Sequence, residues 1–132
     1  VGLLCALLNN KIGPIQKKQV KILCRYPPNW EEVRTYDNCM YYWYHGTLAL
    51  FIIGGDKWRR WNSHLLPTLV ENQIKNGDAA GSWPPITKWV GAGGRIYTTA
   101  INILNLEIYY RYRPNFLHSL SSWQLSYLRS KN

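Results

Sequence analysis

The side chains of this sequence with the clearest chemical potential crowd one short stretch, in which four aromatic residues precede a histidine. Tyr41, Tyr42, Trp43 and Tyr44 lead directly into His45. A rim of aromatic rings can bind a hydrophobic ligand or, over the ring faces, a cation. Aromatic residues at helical spacing also pack in helical cores, which is the commoner outcome, and His45 is then a hydrogen-bonded structural residue.

A second group of polar residues recurs at helical spacing near the other end of the chain. Thr98, Asn102, Asn105 and Tyr109 follow one another at i, i+4, i+7 and i+11, so on a helix they form one continuous stripe. Two interpretations stay open. The stripe lines a cavity, or it forms a seam of hydrogen bonds between packed helices.

Metal binding and nucleophilic catalysis find little support in the sequence. The three cysteines are odd in number and widely spaced, without a Cys-x-x-Cys pair, which predicts reduced thiols and, by default, a cytoplasmic setting. We predict no metal site and no cofactor, because the candidate ligands are scattered: Cys5, Cys24, Cys39, His45, His64 and His118.

The hydrophobic pattern that must position these residues is helical throughout and predicts an all-α fold. Six helices are expected, over Gly2–Asn9, Ile15–Cys24, Met40–Ile53, Lys57–Lys75, Tyr97–Tyr112 and Asn115–Leu128. Asp56 is the expected N-cap of the fourth helix, and Pro67 should kink or split that helix. The fifth helix is apolar around most of its circumference, which is typical of a buried helix.

Length and charge restrict the organisation of the chain further. Its 132 residues predict a single domain over 1–132, and no apolar run approaches the length needed to span a bilayer. The net charge of +9 favours anionic partners. Because the chain begins inside an apolar helix, we expect it to be part of a longer protein.

The segment between the fourth and fifth helices has the pattern of a joint between stacked helix pairs. A glutamine at a helix end is followed by Gly-x-Trp and then by a helix that starts with Thr-Ala. We expect the glutamine and the tryptophan to be buried against each other, with the amide bonded to backbone near the start of the fifth helix. By contrast, Trp30 is expected in a polar loop. The residues of the pattern are Gln73, Gly81, Ser82, Trp83, Thr99, Ala100, Ile101, Ile103 and Leu104.

In these residues the chain resembles the α/α-toroid superfamily of terpenoid cyclases and protein prenyltransferases, including bacterial proteins with prenyltransferase and squalene oxidase repeats. The resemblance implies a helical-repeat array of about three hairpins, an arc of a toroid. Inner helices of such toroids line a central cavity. The residues that the resemblance places at a cavity wall are Thr98, Asn102, Asn105, Tyr109, Tyr41, Trp43, Tyr44 and His45.

The catalytic residues of that superfamily are not matched. Cyclases carry Asp-x-Asp-Asp before the Thr-Ala of an inner helix, and the acids of that motif fall here on Arg95, Tyr97 and Thr98. None of these is acidic, and no zinc-ligand set replaces them. The resemblance therefore favours a non-catalytic module that acts as a scaffold or binds a hydrophobic ligand or partner. The alternative is a fragment of a terpenoid-cyclase-like or prenyl-group enzyme whose acids lie outside this segment.

Partners follow from the same considerations. Three hairpins leave an apolar face at each end, so we expect self-association or contact with the remainder of a parent chain. A hydrophobic ligand or a membrane surface is a further candidate. The run from Trp58 to Trp61 interleaves arginine with tryptophan, but without an RNP-like motif or a zinc finger nucleic acid is not expected to bind.

Overall fold

The described part of the chain is helical, and the predicted all-α class is confirmed. The structure, a computed structural model, describes residues 1–34, 39–86, 90–111 and 122–130, and no β-strand occurs within them. In chain order the elements are α1 (Gly2–Leu8), α2 (Pro14–Arg25), a 3₁₀ helix (Trp30–Arg34), α3 (Cys39–Ile53), α4 (Gly55–Glu71), α5 (Val90–Leu106), α6 (Ile108–Arg111) and α7 (Ser122–Arg129).

The helix α3 lies at the centre of the fold. Its apolar residues point in all directions, and the run from residue 46 to residue 50 is buried without interruption. It packs between α1 and α5 and also contacts α4, α6, α7 and the 3₁₀ helix. A helix that is apolar all round must be enclosed by its neighbours, and α3 rather than the fifth helix has that role here.

The chain reverses between α3 and α4 at Gly54 and Gly55. Both glycines have positive φ angles, +67° and +66°, which residues with a Cβ atom rarely adopt. Arg129 of α7 donates from Nε to the carbonyl of Ile53 at 2.6 Å, so a cation satisfies the last turn of α3. The expectation that Asp56 caps α4 is wrong. Gly54 is the N-cap, and Asp56 lies in the first turn.

The helix α4 continues through Pro67 without a break, so the predicted split does not occur. Proline removes the hydrogen bond to the carbonyl four residues earlier, which belongs to Ser63. Both Pro67 and Ser63 are exposed, so water can satisfy that carbonyl and the apolar face of the helix stays packed. The helix ends at Glu71, four residues before the predicted end, because the joint begins there.

The predicted fifth helix is replaced by two helices. It begins early, at Val90, has a non-helical residue at Gly94 (φ +53°), and ends at Leu106 before the short α6 begins. Nor is it buried all round, since Ile96 and Ile103 are exposed. Only part of the predicted sixth helix is described, as Ser122–Arg129. Tyr112 and residues 115–121 lie outside the described residues.

The helices of this fold are short compared with a bilayer. The longest, α4 and α5, have 17 residues each, and no helix among the described segments is long and apolar enough to cross a membrane.

Candidate functional site

A cavity of about 300 Å³ lies where α1 and α2 meet α3. Its wall is mainly apolar and includes Leu3, Leu4 and Leu23, while His45 and Gln19 contribute polar atoms. The volume is at the lower end of the range for small-molecule sites. We call this space the His45 cavity.

His45 faces the cavity with an unsatisfied imidazole. Both ring nitrogens are buried and lack a hydrogen-bond partner. The ring is held edge-on by Tyr41 and Tyr44, at centroid distances of 4.4 and 5.2 Å. Burial lowers the pKa of His45, and the positive charge of the amino terminus lowers it further. A neutral imidazole offers one N–H donor and one acceptor nitrogen, and in His45 both lie just beneath the cavity wall, covered by neighbouring atoms.

Gln19 of α2 adds a third polar atom to the same wall. Its Oε1 is buried and accepts no hydrogen bond. Buried polar groups are normally paired, because each unpaired group forfeits its hydration. Unpaired polar atoms from two helices that border one mainly apolar cavity are what a bound molecule with a polar group would satisfy.

Gly46 lines the cavity, and its lack of a side chain lets α3 pack closely against α2 and α4. A Cβ atom on Gly46 would lie 2.7 Å from Cη2 of Trp61 and 3.1 Å from Cδ2 of Leu23. Trp61 is buried and donates from Nε1 to Thr47 Oγ1 at 2.9 Å, so it cannot move aside easily. Only glycine fits at this crossing of α3 with α2 and α4.

The aromatic run on α3 is divided between two environments. Tyr41, Tyr42 and His45 line the cavity, and Tyr44 contacts the His45 ring from the side. Trp43 is buried in the core instead, with its ring 6.2 Å from that of Trp30. A helix must turn successive side chains in different directions, so one run of aromatic residues cannot form one rim.

The polar stripe of α5 lies against α3 and lines neither the His45 cavity nor the second cavity described below. Thr98, Asn102 and Asn105 are fully buried. Thr98 Oγ1 donates to Gly94 O at 3.1 Å, and Asn105 Nδ2 donates to Ile101 O at 3.0 Å, both within the helix. Both bonds lie within α5, so neither of them joins this helix to a neighbour.

Asn102 makes the one described contact of this stripe across the interface. Its Nδ2 lies 3.9 Å from the sulfur of Met40 on α3, a weak acceptor. The Oδ1 atoms of Asn102 and Asn105 are buried without a partner.

Tyr109 is separated from the rest of the stripe by the break between α5 and α6. Its ring packs near Phe51 and Trp58, at centroid distances of 6.4 and 5.8 Å, and its hydroxyl donates to Asn62. Burial raises the pKa of Tyr109, and the hydrogen bond with Asn62 opposes that shift. The residue thus joins an aromatic cluster between α3 and α4, because the predicted i+11 register ends at Leu106.

The joint between α4 and α5 has a buried tryptophan at its centre, as expected. Trp83 is 1% exposed and donates from Nε1 to the carbonyl of Leu69 at 2.7 Å, in the last turns of α4. Gln73 is only half-buried, and its Nε2 donates to Gly81 O at 2.8 Å. The expected bond from Gln73 to the start of the fifth helix is therefore wrong, since the amide closes the loop instead.

Further bonds make this loop a compact unit. Ile74 N donates to Ser82 O at 2.9 Å, and Gly81 N donates to Ile74 O at 2.8 Å. Gly81 has a φ angle of +83°. Trp83 N reaches Thr99 Oγ1 at 3.4 Å, so the Thr-Ala start of the predicted inner helix is tied to the tryptophan.

The positions that match the cyclase acids have structural surroundings. Arg95 is exposed and donates to Ser82 Oγ at 3.2 Å, which adds a further bond to the joint. Tyr97 is half-buried, and burial raises its pKa, helped by the nearby Tyr41 hydroxyl.

A second cavity of about 480 Å³ lies between residues 27–29 and α4, and its wall includes the neighbouring side chains of Ser63 and His64. Ser63 Oγ is 3.4 Å from His64 Nδ1, yet both donate to Arg60 O, at 2.8 and 2.9 Å. With its proton on Nδ1, His64 cannot accept the serine proton at that nitrogen. This arrangement does not activate a nucleophile.

The remaining candidate ligands do not converge. Within the described segments no three histidine, cysteine or acidic side chains come together as a metal site. Cys5 is exposed, Cys24 is half-buried, and His118 lies outside the described residues. Burial raises the pKa of the Cys24 thiol against the opposing charges of Lys57 and Arg60.

Sequence reasoning missed Gln19 and Gly46, two residues that shape the His45 cavity. A single glycine inside a long apolar helix signals a close packing contact, so Gly46 was detectable in principle. Gln19 was not, because only the tertiary contact of α2 with α3 gives it a role.

Comparison with protein-family models, with curated proteins and with solved structures gives no match for this chain.

Proposed function

We propose that this chain is a non-catalytic helical module that binds a small, mainly apolar ligand in the His45 cavity. The observation that carries the proposal is the set of three buried, unpartnered polar atoms, the two ring nitrogens of His45 and Oε1 of Gln19, at the edge of an apolar space. A ligand with an apolar body and one hydroxyl group would pair with part of this set, as a donor to Gln19 Oε1 or as an acceptor from the N–H of His45. Leaving such atoms unpaired costs about 1–3 kcal/mol each, which a fitting ligand recovers.

Binding is favoured over catalysis by the chemistry of the cavity wall. Its described residues include His45 but no carboxylate, cysteine, serine or lysine. General acid–base catalysis needs a base that a second group orients or whose pKa a second group tunes. His45 instead sits between two tyrosine rings and is kept neutral, which suits a hydrogen-bonding group.

We further propose that the module is an arc of an α/α toroid. Two features support this: α1, α3 and α5 lie side by side, and α2 and α4 contact each other as a second layer. Each hairpin, α1–α2 and α3–α4, contributes one helix to each layer. The joint at Trp83 then returns the chain from the second layer to the first, which is the connection that the resemblance implies.

A pair of matched probes tests the ligand proposal. 1-Naphthol combines an apolar ring system with one hydroxyl, and naphthalene lacks the hydroxyl. We expect 1-naphthol to bind more tightly than naphthalene in a fluorescence titration, by about tenfold or more, since a hydrogen bond to a buried partner discriminates between them.

Two histidine variants give the test its control. His45→Phe should remove most of the discrimination between the two probes. His64→Phe, a change at an exposed histidine outside the cavity, should keep it. Equal affinity of the wild-type protein for both probes, or equal loss in both variants, would rule out the His45 cavity as the binding site.

A further inference from the structure

The charges of the first thirty residues all have one sign. This segment carries five of the sixteen basic residues and none of the seven acidic ones, the first of which is Glu31. It contains both α1 and α2. The basic residues are Lys11, Lys17, Lys18, Lys21 and Arg25.

On α2 these cations border a row of exposed apolar side chains. Ile15 and Ile22 are 67% and 53% exposed, seven residues apart, and Tyr26 continues the row at the helix end. Lys18 and Arg25 each lie three residues after an isoleucine, so they run alongside it. The opposite side of the helix holds the buried Val20 and Leu23. We call the outward row, Ile15, Lys18, Ile22, Arg25 and Tyr26, the α2 face.

The α2 face is continuous with the mouth of the His45 cavity. Ile22 belongs to both, and Val1, which is 60% exposed, lines the cavity beside it. Cys5 and Leu8 add uncharged, exposed positions on α1. The cavity therefore opens on the side of the molecule that combines apolar and basic side chains.

We propose that the α2 face docks on the surface of an anionic lipid bilayer. Helices that lie in a membrane interface insert apolar side chains to the level of the acyl boundary and place lysine and arginine among the headgroups. Each basic residue near an anionic leaflet adds about 1 kcal/mol of attraction. The α2 face supplies both kinds of side chain, and no acid lies within residues 1–30. Glu32 borders the second cavity together with Arg25 and Tyr26, so the cations free of a nearby acid are those toward Ile15 and Lys18.

Charge and side-chain chemistry disfavour the other occupants of this face. Two copies of the chain that met through it would bring like charges together. Single-stranded nucleic acid stacks its bases on aromatic rings, whereas the exposed centre of this face is aliphatic, at Ile15 and Ile22. Docking on lipid goes beyond the proposed ligand binding, and the α2 face can act with the cavity empty.

Flotation of the full chain with lipid vesicles tests the proposal. Vesicles of phosphatidylcholine alone are compared with vesicles of phosphatidylcholine and phosphatidylserine, at low and at high salt. We expect flotation with the mixed vesicles, weakened by salt because the charges are exposed, and little with phosphatidylcholine alone.

Two double variants separate the α2 face from unspecific attraction by a basic protein. Ile15→Ser with Lys18→Gln should weaken binding to the mixed vesicles by about tenfold or more, about fivefold from the lysine and the rest from the isoleucine. Val70→Ser with Lys75→Gln is the matched control, because it also removes one exposed apolar residue and one lysine, but from α4 and the segment after it. This variant should bind the mixed vesicles within about a factor of 2 of the wild-type protein. Ile15 lies outside the His45 cavity, so 1-naphthol binding should persist in the first variant.

Several outcomes would overturn the proposal. Equal loss in both double variants would mean that net charge rather than this face drives binding. Flotation that does not depend on phosphatidylserine would remove the role of the lysines. If neither the wild-type protein nor the variant bound vesicles and Ile15→Ser dissociated a dimer, the α2 face would bind a second copy of the chain. If the same change instead weakened binding of a single-stranded oligonucleotide, the face would bind nucleic acid.

Discussion

Among the described residues, four side chains have buried polar atoms without a hydrogen-bond partner, and they form two groups. Gln19 and His45 border an open space, whereas Asn102 and Asn105 face the packed contact of α5 with α3. The first pair can be satisfied by a molecule that enters the cavity. The second pair has no such space in either of the two cavities, so its unpaired oxygens lower the stability of this packing without an evident ligand.

At the residue scale, His45 should make the stability of the protein depend on pH. Burial lowers its pKa in the folded state below the ordinary value of 6.5. Below pH 6.5 the unfolded chain binds a proton at this residue that the folded chain does not yet bind. The contribution of His45 is therefore fully present above pH 6.5 and is lost as the pH falls from 6.5 through the folded pKa.

Urea unfolding at a series of pH values measures this effect. Between pH 7 and pH 5 the unfolding free energy should fall, with a contribution from His45 of less than about 1.4 kcal/mol per pH unit. His45→Gln should flatten the dependence, and His64→Gln, which replaces an exposed histidine, is the matched control. If both variants keep the wild-type slope, the imidazole of His45 is not held neutral by burial.

At the scale of the element, sequence patterns located helices well and contacts poorly. The predicted bounds of α2 and α3 agree with the structure to within one residue, because the glycines and the proline that flank these helices act through local backbone geometry. The split predicted at Pro67 was wrong, since the effect of a proline inside a helix depends on whether the carbonyl that loses its hydrogen bond is exposed to solvent. Trp30 also misled, because its polar sequence neighbours do not reveal the ring of Trp43.

The residues of the candidate site also fall into those that the sequence could predict and those that it could not. Tyr41 and His45 were predictable as functional candidates from the run of aromatic residues before a histidine, and the structure brings both to the cavity. The separation of Trp43 from them follows from helix rotation and could have been anticipated. Gln19 could not, because a residue on the border between the buried and exposed sides of α2 gains its role only when α1, α2 and α3 meet.

The joint between α4 and α5 should depend on Trp83 far more than on an exposed tryptophan. Truncation of a buried tryptophan costs about 3–5 kcal/mol, and Trp83→Ala would also leave the Leu69 carbonyl without its 2.7 Å bond. Trp123 is 65% exposed, and among the described residues its ring stacks on that of Tyr127, so Trp123→Ala should cost less than about 1.5 kcal/mol. Trp30, half-buried against the core, is a poorer control.

Unfolding by urea, followed by far-ultraviolet circular dichroism, measures both variants. The midpoint for Trp83→Ala should lie well below that for Trp123→Ala. Similar midpoints would mean that the joint tolerates the loss of its central residue, and the toroid proposal would lose its main structural support.

At the scale of the whole molecule, the two ends of the row α1, α3, α5 differ in charge. The α1–α2 end belongs to a segment that carries cations alone. The α5 end mixes signs, with Arg95 exposed and Arg111 Nε 3.7 Å from Glu107 Oε2. A face with mixed charges can meet a copy of itself, or another helix of the same array, without the repulsion that the α1–α2 end would meet.

The outward side of α5 is therefore the face through which we expect the module to associate, with a second copy in isolation or with the remainder of a parent chain. Ile96, Ala100 and Ile103 are all exposed at i, i+4 and i+7, and Ile96 is 85% exposed. Toroid helices in an array bury such residues against the next hairpin, and burial of one isoleucine contributes about 1.5–3 kcal/mol. Ile96→Lys with Ile103→Lys should weaken a dimer by at least about tenfold.

Light scattering and sedimentation velocity over a range of concentrations measure this association. The matched control is Ile15→Lys with Ile22→Lys, which changes two exposed isoleucines of α2 by the same substitution. We expect the α5 variant to be monomeric at concentrations where the wild-type protein and the α2 variant form dimers. A wild-type protein that stays monomeric throughout would show that the α5 face does not pair with itself. If the α2 variant were monomeric while the α5 variant still formed dimers, self-association would use the α2 face. Both the association proposed for α5 and the lipid docking proposed for α2 would then be contradicted.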